Sequence, residues 1–224
     1  MTVEFRVLRA ADELAVMPEF EARIWGGNDD RVSVNMLVAC IEEGGVAIGA
    51  FDDGRMIGSV FGFRTHEAEV LHSHYMAVDP QYRRGGFGEQ LKRRQAEWCL
   101  ANGVTSMRWT FDPLQLTNAH LNLNKLGALG ITYHINHYGA LGGINGSLPS
   151  DRLTVQWDMV GERPTFAEYF GLDVPAVSPE QIASSAAEAT HARMAVREAM
   201  APHLADGWRV AAVDREARTY TLAR

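Results

Sequence analysis

The residues whose types and spacing most clearly suit the binding of a ligand lie between positions 76 and 88. An apolar run ends at Ala77-Val78-Asp79-Pro80, and Arg83-Arg84-Gly85-Gly86-Phe87-Gly88 then leads into a run with helical periodicity. Glycines let a backbone come close to an anion, the free amides of a first helical turn donate to it, and arginines add charge-assisted hydrogen bonds. The segment therefore predicts a phosphate-binding turn between a strand and a helix.

Two common phosphate motifs do not describe this turn. A nucleotide P-loop needs two glycines with four residues between them, followed by Lys and then Ser or Thr, and a dinucleotide fingerprint needs Gly-x-Gly-x-x-Gly. Neither string occurs in the chain. The remaining interpretations are a phosphate compound of another kind or, as the plainer alternative, a glycine-rich connection with solvated arginines.

Hydrophobic periodicity and turn residues place this segment in an α/β chain. Asp53-Gly54 between two β-rich runs is a strong hairpin signal. The pattern predicts strands at Val3–Leu8, Val46–Phe51, Met56–Arg64, Val70–Val78, Ser106–Phe111 and Ile131–Tyr138, and helices at Ala10–Trp25, Asn35–Glu43, Phe87–Asn102 and Thr117–Leu126. This order predicts a mixed, mostly antiparallel central sheet with helices on both faces. Ligands are expected in a crevice at the carboxyl ends of the parallel strands.

The character of the sequence changes near residue 160. Beyond it, an Ala-rich helix is predicted over Pro179–Leu204 and a closing hairpin over Gly207–Val213 and Thr219–Leu222. We therefore predict a catalytic domain at residues 1–160 and a C-terminal helix and hairpin extension at 161–224 that packs on the same core. The extension either covers the acceptor pocket or completes the sheet.

Composition narrows the class of protein. The chain has 224 residues, of which 46% are apolar, and a formal net charge of −7, which argues against a nucleic-acid binder. A local basic spot is predicted from Arg83-Arg84 and Lys92-Arg93-Arg94, and a solvated helix face is the alternative for the last three residues. Two cysteines are too few for a disulfide framework, and neither a signal peptide nor a membrane-length apolar run is evident. A cytoplasmic protein without a membrane partner is expected.

The string Arg83-x-x-Gly86-x-Gly88, following a Val-Asp-Pro turn, resembles motif A of the GNAT acyltransferases. Further strings, Trp109 to Leu114, Asn118 to Asn122, Lys125 to Ala128 and Leu148 to Leu153, resemble a prokaryotic subgroup of predicted acetyltransferases. The resemblance covers roughly residues 3 to 160. It implies the GNAT fold and an acyl-CoA donor, which is acetyl-CoA or, as for some similar proteins, succinyl-CoA.

The resemblance also implies roles for individual residues. Backbone groups of Met76, Ala77 and Val78 are expected to hold the pantetheine arm of CoA, and Asn118 is expected to contact the same arm or to act as an N-cap or turn residue. The pyrophosphate is expected at Arg83, Arg84, Gly85, Gly86, Phe87 and Gly88. Many members place a tyrosine that protonates the leaving thiolate where this chain has Leu123. That acid is therefore not assumed here.

Attack by an amine on a thioester requires a base, because an alkyl ammonium has a pKa near 10. His74 is the first candidate, since it lies on the strand before the turn and an imidazole has a pKa of about 6.5. Strand alternation predicts that His74 shares a face with His72, Met76 and Val78, and that Ser73 and Tyr75 share the other. A hydrogen-bonded structural histidine is the alternative.

Other polar side chains complete the predicted site. Asp112 ends a strand and is expected to orient an acceptor ammonium, to hold a histidine, or to begin a turn with Pro113. Tyr133 and Tyr138 are candidates for the missing acid, and ordinary packing in the core is the alternative for both. His120, His134 and His137 have no matching ligand spacing, so no metal is expected.

The sequence as a whole predicts an N-acyltransferase that acts on the amine of a small molecule such as an amino acid. Acylation of a protein or peptide is the nearest enzymatic alternative, and a non-catalytic acyl-CoA sensor is an alternative from another class. Assembly as a homodimer is left open.

Overall fold

A computed structural model of the chain describes residues 2–26, 31–139, 149–175 and 186–224. The chain divides into two compact units, Met1–Arg108 and Trp109–Arg224. The predicted domain boundary at residue 160 lies inside the second unit and stays a prediction. Within the described residues, no helix is both long and apolar enough to span a bilayer.

The first unit contains five strands and four α-helices among its described residues. They are β1 (Val3–Leu8), α1 (Ala11–Leu14), α2 (Val16–Trp25), α3 (Val34–Glu42), β2 (Val46–Asp52), β3 (Arg55–Arg64), β4 (Val70–Val78), a 3₁₀ helix (Pro80–Gly85), α4 (Phe87–Ala101) and the start of β5 (Ser106–Phe111). The predicted strands therefore have the correct bounds to within one residue. The predicted helix Ala10–Trp25 is instead two helices that meet at Ala15, because Pro18 is tolerated only in the first turn of a helix.

The strands of the first unit form a mixed sheet in the order β1-β2-β3-β4-β5. The first four strands pair antiparallel, and β4 pairs parallel with β5 from Val70–Ser106 to His72–Arg108. The predicted mixed, mostly antiparallel sheet is thus confirmed. Because this ladder involves only the first three residues of β4, residues 73–78 continue beyond it.

Helices cover both faces of this sheet, as predicted. On one face, a buried cluster joins α1, α2 and α3 to the strands through side chains such as Leu14, Phe20, Leu37, Phe61 and Ala77. On the other face, Leu91 of α4 packs directly against Gly58 of β3. A Cβ at Gly58 would lie only 3.0 Å from the Leu91 side chain. Helix α4 is thereby fixed against the sheet directly behind β4.

The second unit contains the remaining elements. They are the end of β5, α5 (Leu116–Ala119), a π-helical turn (His120–Lys125), β6 (Leu129–His134), β7 (Arg152–Asp158), β8 (Tyr169–Asp173), α6 (Ala186–Ala205), β9 (Arg209–Asp214) and β10 (Thr219–Ala223). Two predictions need correction: β6 ends at His134 rather than at Tyr138, and the helix predicted over Thr117–Leu126 becomes an α turn followed by a π turn. Residues 179–185 of the predicted C-terminal helix lie outside the described residues.

The C-terminal hairpin completes a sheet. Strands of the second unit follow the order β7-β6-β9-β10-β8, in which β9 joins β6 through the pair Gly130–Val210. A Cβ at Gly130 would lie 2.7 Å from Cβ of Val210, so only glycine permits this approach. Of the two roles considered for the extension, completion of the sheet is confirmed. Strand β7 was not predicted, although Leu153, Val155 and Trp157 alternate with polar residues along it.

Candidate functional site

The connection from β4 to α4 is a short 3₁₀ helix that ends in a left-handed glycine. Asp79 caps its start, where its carboxylate accepts from the Gln81 amide and from the Arg55 guanidinium, both at 3.0 Å. Gly86 follows with φ 72° and ψ 12° and is the N-cap of α4. This left-handed turn is what lets the chain leave β4 and begin α4 within eight residues.

The N-terminus of α4 is open to an anion. The N-cap residue of α4, Gly86, has no side chain that could bond the amides of the first turn, so these amides keep their partial positive charge. Arg83 and Arg84 are exposed beside it, and Nε of Arg83 donates to the carbonyl oxygen of Val78 at 3.3 Å. Two guanidinium groups, a helix terminus and the exposed Gly85 and Gly86 thus occupy one stretch of chain, as the sequence predicted.

His74 is the extra residue of a β-bulge in β4. Tyr75 pairs with Phe61 and Ser73 pairs with Gly62, which leaves His74 without a cross-strand partner. The predicted alternation across Ser73 and Tyr75 is therefore wrong. Ser73 contacts α4, whereas the Tyr75 ring packs edge-on against Trp25 of α2 at 5.7 Å.

The bulge presents the imidazole of His74 at the surface among aromatic rings. The ring centroids of Phe61, Phe63 and Tyr75 lie 6.0, 5.7 and 6.2 Å away. His74 is exposed as a whole residue, but the neighbouring rings remove part of the water around its imidazole, and this desolvation lowers the pKa of His74 below its ordinary value of 6.5. The imidazole is consequently neutral near pH 7 and able to accept a proton.

Directly behind the bulge lies a buried polar chain that the sequence did not reveal. Nζ of Lys92 donates to Oγ of Ser73, and this hydroxyl donates to Oε1 of Gln95, both at 2.7 Å. Burial lowers the pKa of Lys92 to about 7. The predicted basic spot therefore does not include Lys92.

Replacing Lys92 by Met should change how stability depends on pH. The folded protein releases the Lys92 proton near pH 7 and the unfolded chain near 10.5, so between these values the unfolded chain binds more protons and wild-type stability rises with pH. Between pH 7 and 10, the free energy of unfolding measured in urea should rise for wild type on the order of a few kcal/mol relative to that of K92M. Lys125 is exposed, and K125M is the control that should follow wild type. A constant difference between wild type and K92M across this range would contradict the burial of a titrating amine.

In the second unit, Asp112 is already engaged. Its carboxylate accepts hydrogen bonds from Nη1 and Nη2 of Arg193 at 3.0 and 2.7 Å. Its Oδ1 also accepts a hydrogen bond from the Leu114 amide at 2.9 Å. The turn predicted at Asp112-Pro113 is present. The carboxylate of Asp112 is thus paired with the guanidinium of Arg193 from α6 and not with a histidine.

Tyr133 joins the same network through a second aspartate. Its hydroxyl donates to Oδ2 of Asp151 at 2.9 Å, and Arg197 donates to both oxygens of Asp151 at 2.9 and 2.8 Å. Burial and the neighbouring carboxylate raise the pKa of Tyr133. Although burial acts to raise the pKa of Asp151, the bonds from Arg197 and the Asn136 amide lower it. Asp112 and Tyr133 are thus linked through Arg193, which also lies 3.5 Å from the Asp151 carbonyl.

The remaining predicted residues lie as follows. Asn118 is exposed in the last turn of α5, whose N-cap is Gln115, so Asn118 is not an N-cap. Leu123 is fully buried in the π turn. The rings of His134 and His137 are 4.4 Å apart, and His134 bonds Thr154 at 2.7 Å. No cluster of three or more His, Cys, Asp or Glu that could hold a metal is found in the described part of the chain.

Comparison with known proteins identifies a family and a fold. The model of the acetyltransferase (GNAT) family matches residues 13–127, more than half of the chain. No curated protein sequence gives a significant match.

Three solved structures share the fold. The ribosomal-protein-S18-alanine N-acetyltransferase from Escherichia coli is 18% identical over 74% of this chain and 100% of its own, with a TM-score of 0.57. The protein yncA from Salmonella typhimurium with its cofactor acetyl-CoA is 16% identical over 73% and 98%, with a TM-score of 0.56. An N-acetyltransferase from Staphylococcus aureus Mu50 is 16% identical over 71% and 100%, also with a TM-score of 0.56. At these identities the likeness concerns the fold alone.

Proposed function

Because this chain belongs to the acetyltransferase (GNAT) family, we propose that it transfers an acyl group from acetyl-CoA or succinyl-CoA to the amine of a small molecule such as an amino acid. Family membership makes the chain an N-acyltransferase that uses acetyl-CoA, and the structural neighbour yncA holds the same compound. The choice between acetyl and succinyl donors, and between small amines and peptides, is the part that we propose.

The observation that supports the donor site best is the turn at Gly86. Its left-handed backbone aims the uncapped first turn of α4 outward beside the exposed Arg83 and Arg84. We assign the pyrophosphate to Arg83 through Gly88, where first-turn amides and guanidinium groups supply donors. Met76, Ala77 and Val78 lie on β4 beyond its ladder with β5, so their backbone groups on that side are assigned to the pantetheine arm. The contact of Asn118 with that arm stays a prediction.

The proposed chemistry uses the bulge in β4. Bound acyl-CoA supplies a thioester carbonyl as the electrophile. His74, neutral near pH 7, accepts the proton that the attacking amine loses, directly or through water. Because a β-bulge leaves backbone groups outside the ladder, β4 can present an amide to the developing oxyanion.

The leaving thiolate must take up a proton from an acid. Tyr133 and Tyr138 are the predicted acids, but Tyr133 gives its proton to a hydrogen bond with Asp151 and its pKa is raised. Tyr133 is therefore a weaker acid than an ordinary phenol. Asp112, engaged by Arg193, is more suited to fixing the site than to receiving an acceptor ammonium.

Valine at position 86 should abolish most of the affinity for CoA. A β-branched residue at φ 72° is strained by about 1–2 kcal/mol, and the turn would relax by moving the first amides of α4. We expect G86V to weaken binding of CoA at least tenfold by titration calorimetry, with no measurable binding of ATP by either protein.

Gly103 offers a matched control at the other end of α4. It has φ 75°, and a Cβ there, as at Gly86, meets no atom within 4 Å. The variant G103V should therefore lose similar stability yet bind CoA like wild type. Equal CoA affinity in G86V and G103V would refute the assignment of the turn.

A further inference from the structure

Three arginines and two aspartates form one cluster in the second unit. Arg193 makes two hydrogen bonds to Asp112, and Arg197 makes two to Asp151. Each carboxylate is therefore matched with one guanidinium in a two-bond pair, which is the strongest arrangement for these groups. In the part of the chain that the structure describes, the third arginine, Arg152, forms no ion pair with a carboxylate.

Arg152 is a half-buried cation whose contacts are weak ones. Its Nη1 donates to the backbone carbonyl of Asp151 at 2.9 Å, and its guanidinium lies 5.5 Å from the ring centroid of Tyr138. Within residues 2–26, 31–139, 149–175 and 186–224, no carboxylate lies within 4.0 Å of it. Burial lowers the pKa of Arg152, and the charge of Arg193 lowers it further, against the pull of Asp112. An anion bound here would relieve both effects.

The surroundings of Arg152 suit a carboxylate. The Tyr138 hydroxyl lies 3.0 Å from Oγ1 of Thr110, so one of the two hydroxyl protons can be donated elsewhere. Tyr138 is 49% exposed, which leaves this place open to solvent. Its backbone is held by the bond from the Tyr138 amide to Oγ of Ser150 at 2.8 Å. A guanidinium that bonds the Asp151 carbonyl and a hydroxyl that bonds the Thr110 side chain are therefore available at one accessible place.

We propose that Arg152, with Tyr138 and Thr110 beside it, binds a carboxylate of one of the two substrates. The inference rests on the proposed acyl transfer and narrows its substrate class to carboxylate-bearing compounds. The carboxylate has two sources, the α-carboxylate of an amino acid acceptor and the distal carboxylate of a succinyl donor. The site would hold this group by charge-assisted hydrogen bonds.

The test compares two pairs of ligands, and in each pair only one member carries a carboxylate. Phenylalanine and phenethylamine are titrated by calorimetry into the protein with and without CoA, and succinyl-CoA and acetyl-CoA are titrated separately. Losing an ionic hydrogen-bond partner should weaken the carboxylate-bearing member of one pair about ten- to hundredfold in R152Q, and the other member less than about twofold. R152K, which keeps the charge but not the planar fork, should show an intermediate loss.

Arg209 provides the matched control, because it is also half-buried and donates to backbone carbonyls, those of Gly207 and Trp208, at 3.2 and 3.1 Å. R209Q should bind all four compounds like wild type. A loss for phenylalanine alone assigns the site to the acceptor, and a loss for succinyl-CoA alone assigns it to the donor.

Equal losses within both pairs, no loss in R152Q, or no preference of wild type for either carboxylate would overturn the proposal. Circular dichroism melting shows whether R152Q is folded. If R152Q is unfolded, the same titrations with R152K test the proposal. Binding does not require turnover, so a protein that selects carboxylates but forms no amide would contradict the proposed function and leave this site standing.

Discussion

Replacing His74 by alanine should lower the rate of acyl transfer about 10²- to 10⁴-fold and leave the affinity for CoA nearly unchanged. A positioned base contributes this much when the nucleophile must lose a proton, and the residues assigned to CoA begin only at Met76. The bulge that exposes His74 belongs to the backbone, so alanine should keep it. Steady-state kinetics with a saturating amine and calorimetry with CoA measure the two quantities.

The pH dependence of kcat/KM identifies the base more specifically than the loss of rate in H74A does. Because the pKa of His74 is lowered from 6.5, the neutral form dominates above that value, and kcat/KM should fall only as the pH drops below 6.5. H74A should lack this acid limb. His72, whose ring lies 5.9 Å from that of His74, is the control, and H72A should retain the limb. If H74A turned over as fast as wild type and kept the same pH profile between pH 5 and 9, His74 would not be the base.

Replacing Arg193 by alanine should lower the free energy of unfolding by about 3–5 kcal/mol, because the Asp112 carboxylate would be left without its partner in a largely buried place. The Arg193 side chain is 4% exposed and that of Asp112 is 17% exposed. The pair Arg224–Glu168 is the control, since its side chains are 48% and 56% exposed. R224A should cost only about 0–1 kcal/mol in the same urea titration.

A double variant separates the pair from its neighbours. D112N with R193M removes both charges together and should recover much of the loss seen in R193A, since no unpaired charge remains. A loss in R193A no larger than in R224A would contradict a buried pair. A D112N variant that folds with wild-type stability and raises only the KM of amines would instead support the original expectation that Asp112 orients the acceptor.

Local signals account for most of what the sequence predicted. Asp53-Gly54, with φ values of 48° and 75°, makes the hairpin turn regardless of what lies elsewhere. The turn at Gly86 is similarly encoded, because glycine is needed where φ is positive and arginines flank it. The turn at Gly86 sets the start of α4, and with it the place of the proposed donor site.

The parts that were missed depend on contacts between distant residues. The bulge at His74 arises from the register of β3 against β4, which alternation within one strand does not determine. Lys92 looked like part of a solvated basic face, yet it packs into the sheet and bonds Ser73, 19 positions away. Asp112 and Arg193 are 81 positions apart, so neither residue suggested the other. Tertiary packing decides such cases.

The central claim is acyl transfer from a CoA thioester to a small-molecule amine. Its most direct test incubates the protein with acetyl-CoA or succinyl-CoA and one of three acceptor classes, amino acids, simple amines or peptides with free N-termini. CoA release is followed with time and products are identified by mass spectrometry. The account predicts that at least one amino acid or simple amine accelerates CoA release and gains the mass of the acyl group, with little reaction of peptides. Acylation of peptides alone, or CoA release that no acceptor accelerates, would contradict it.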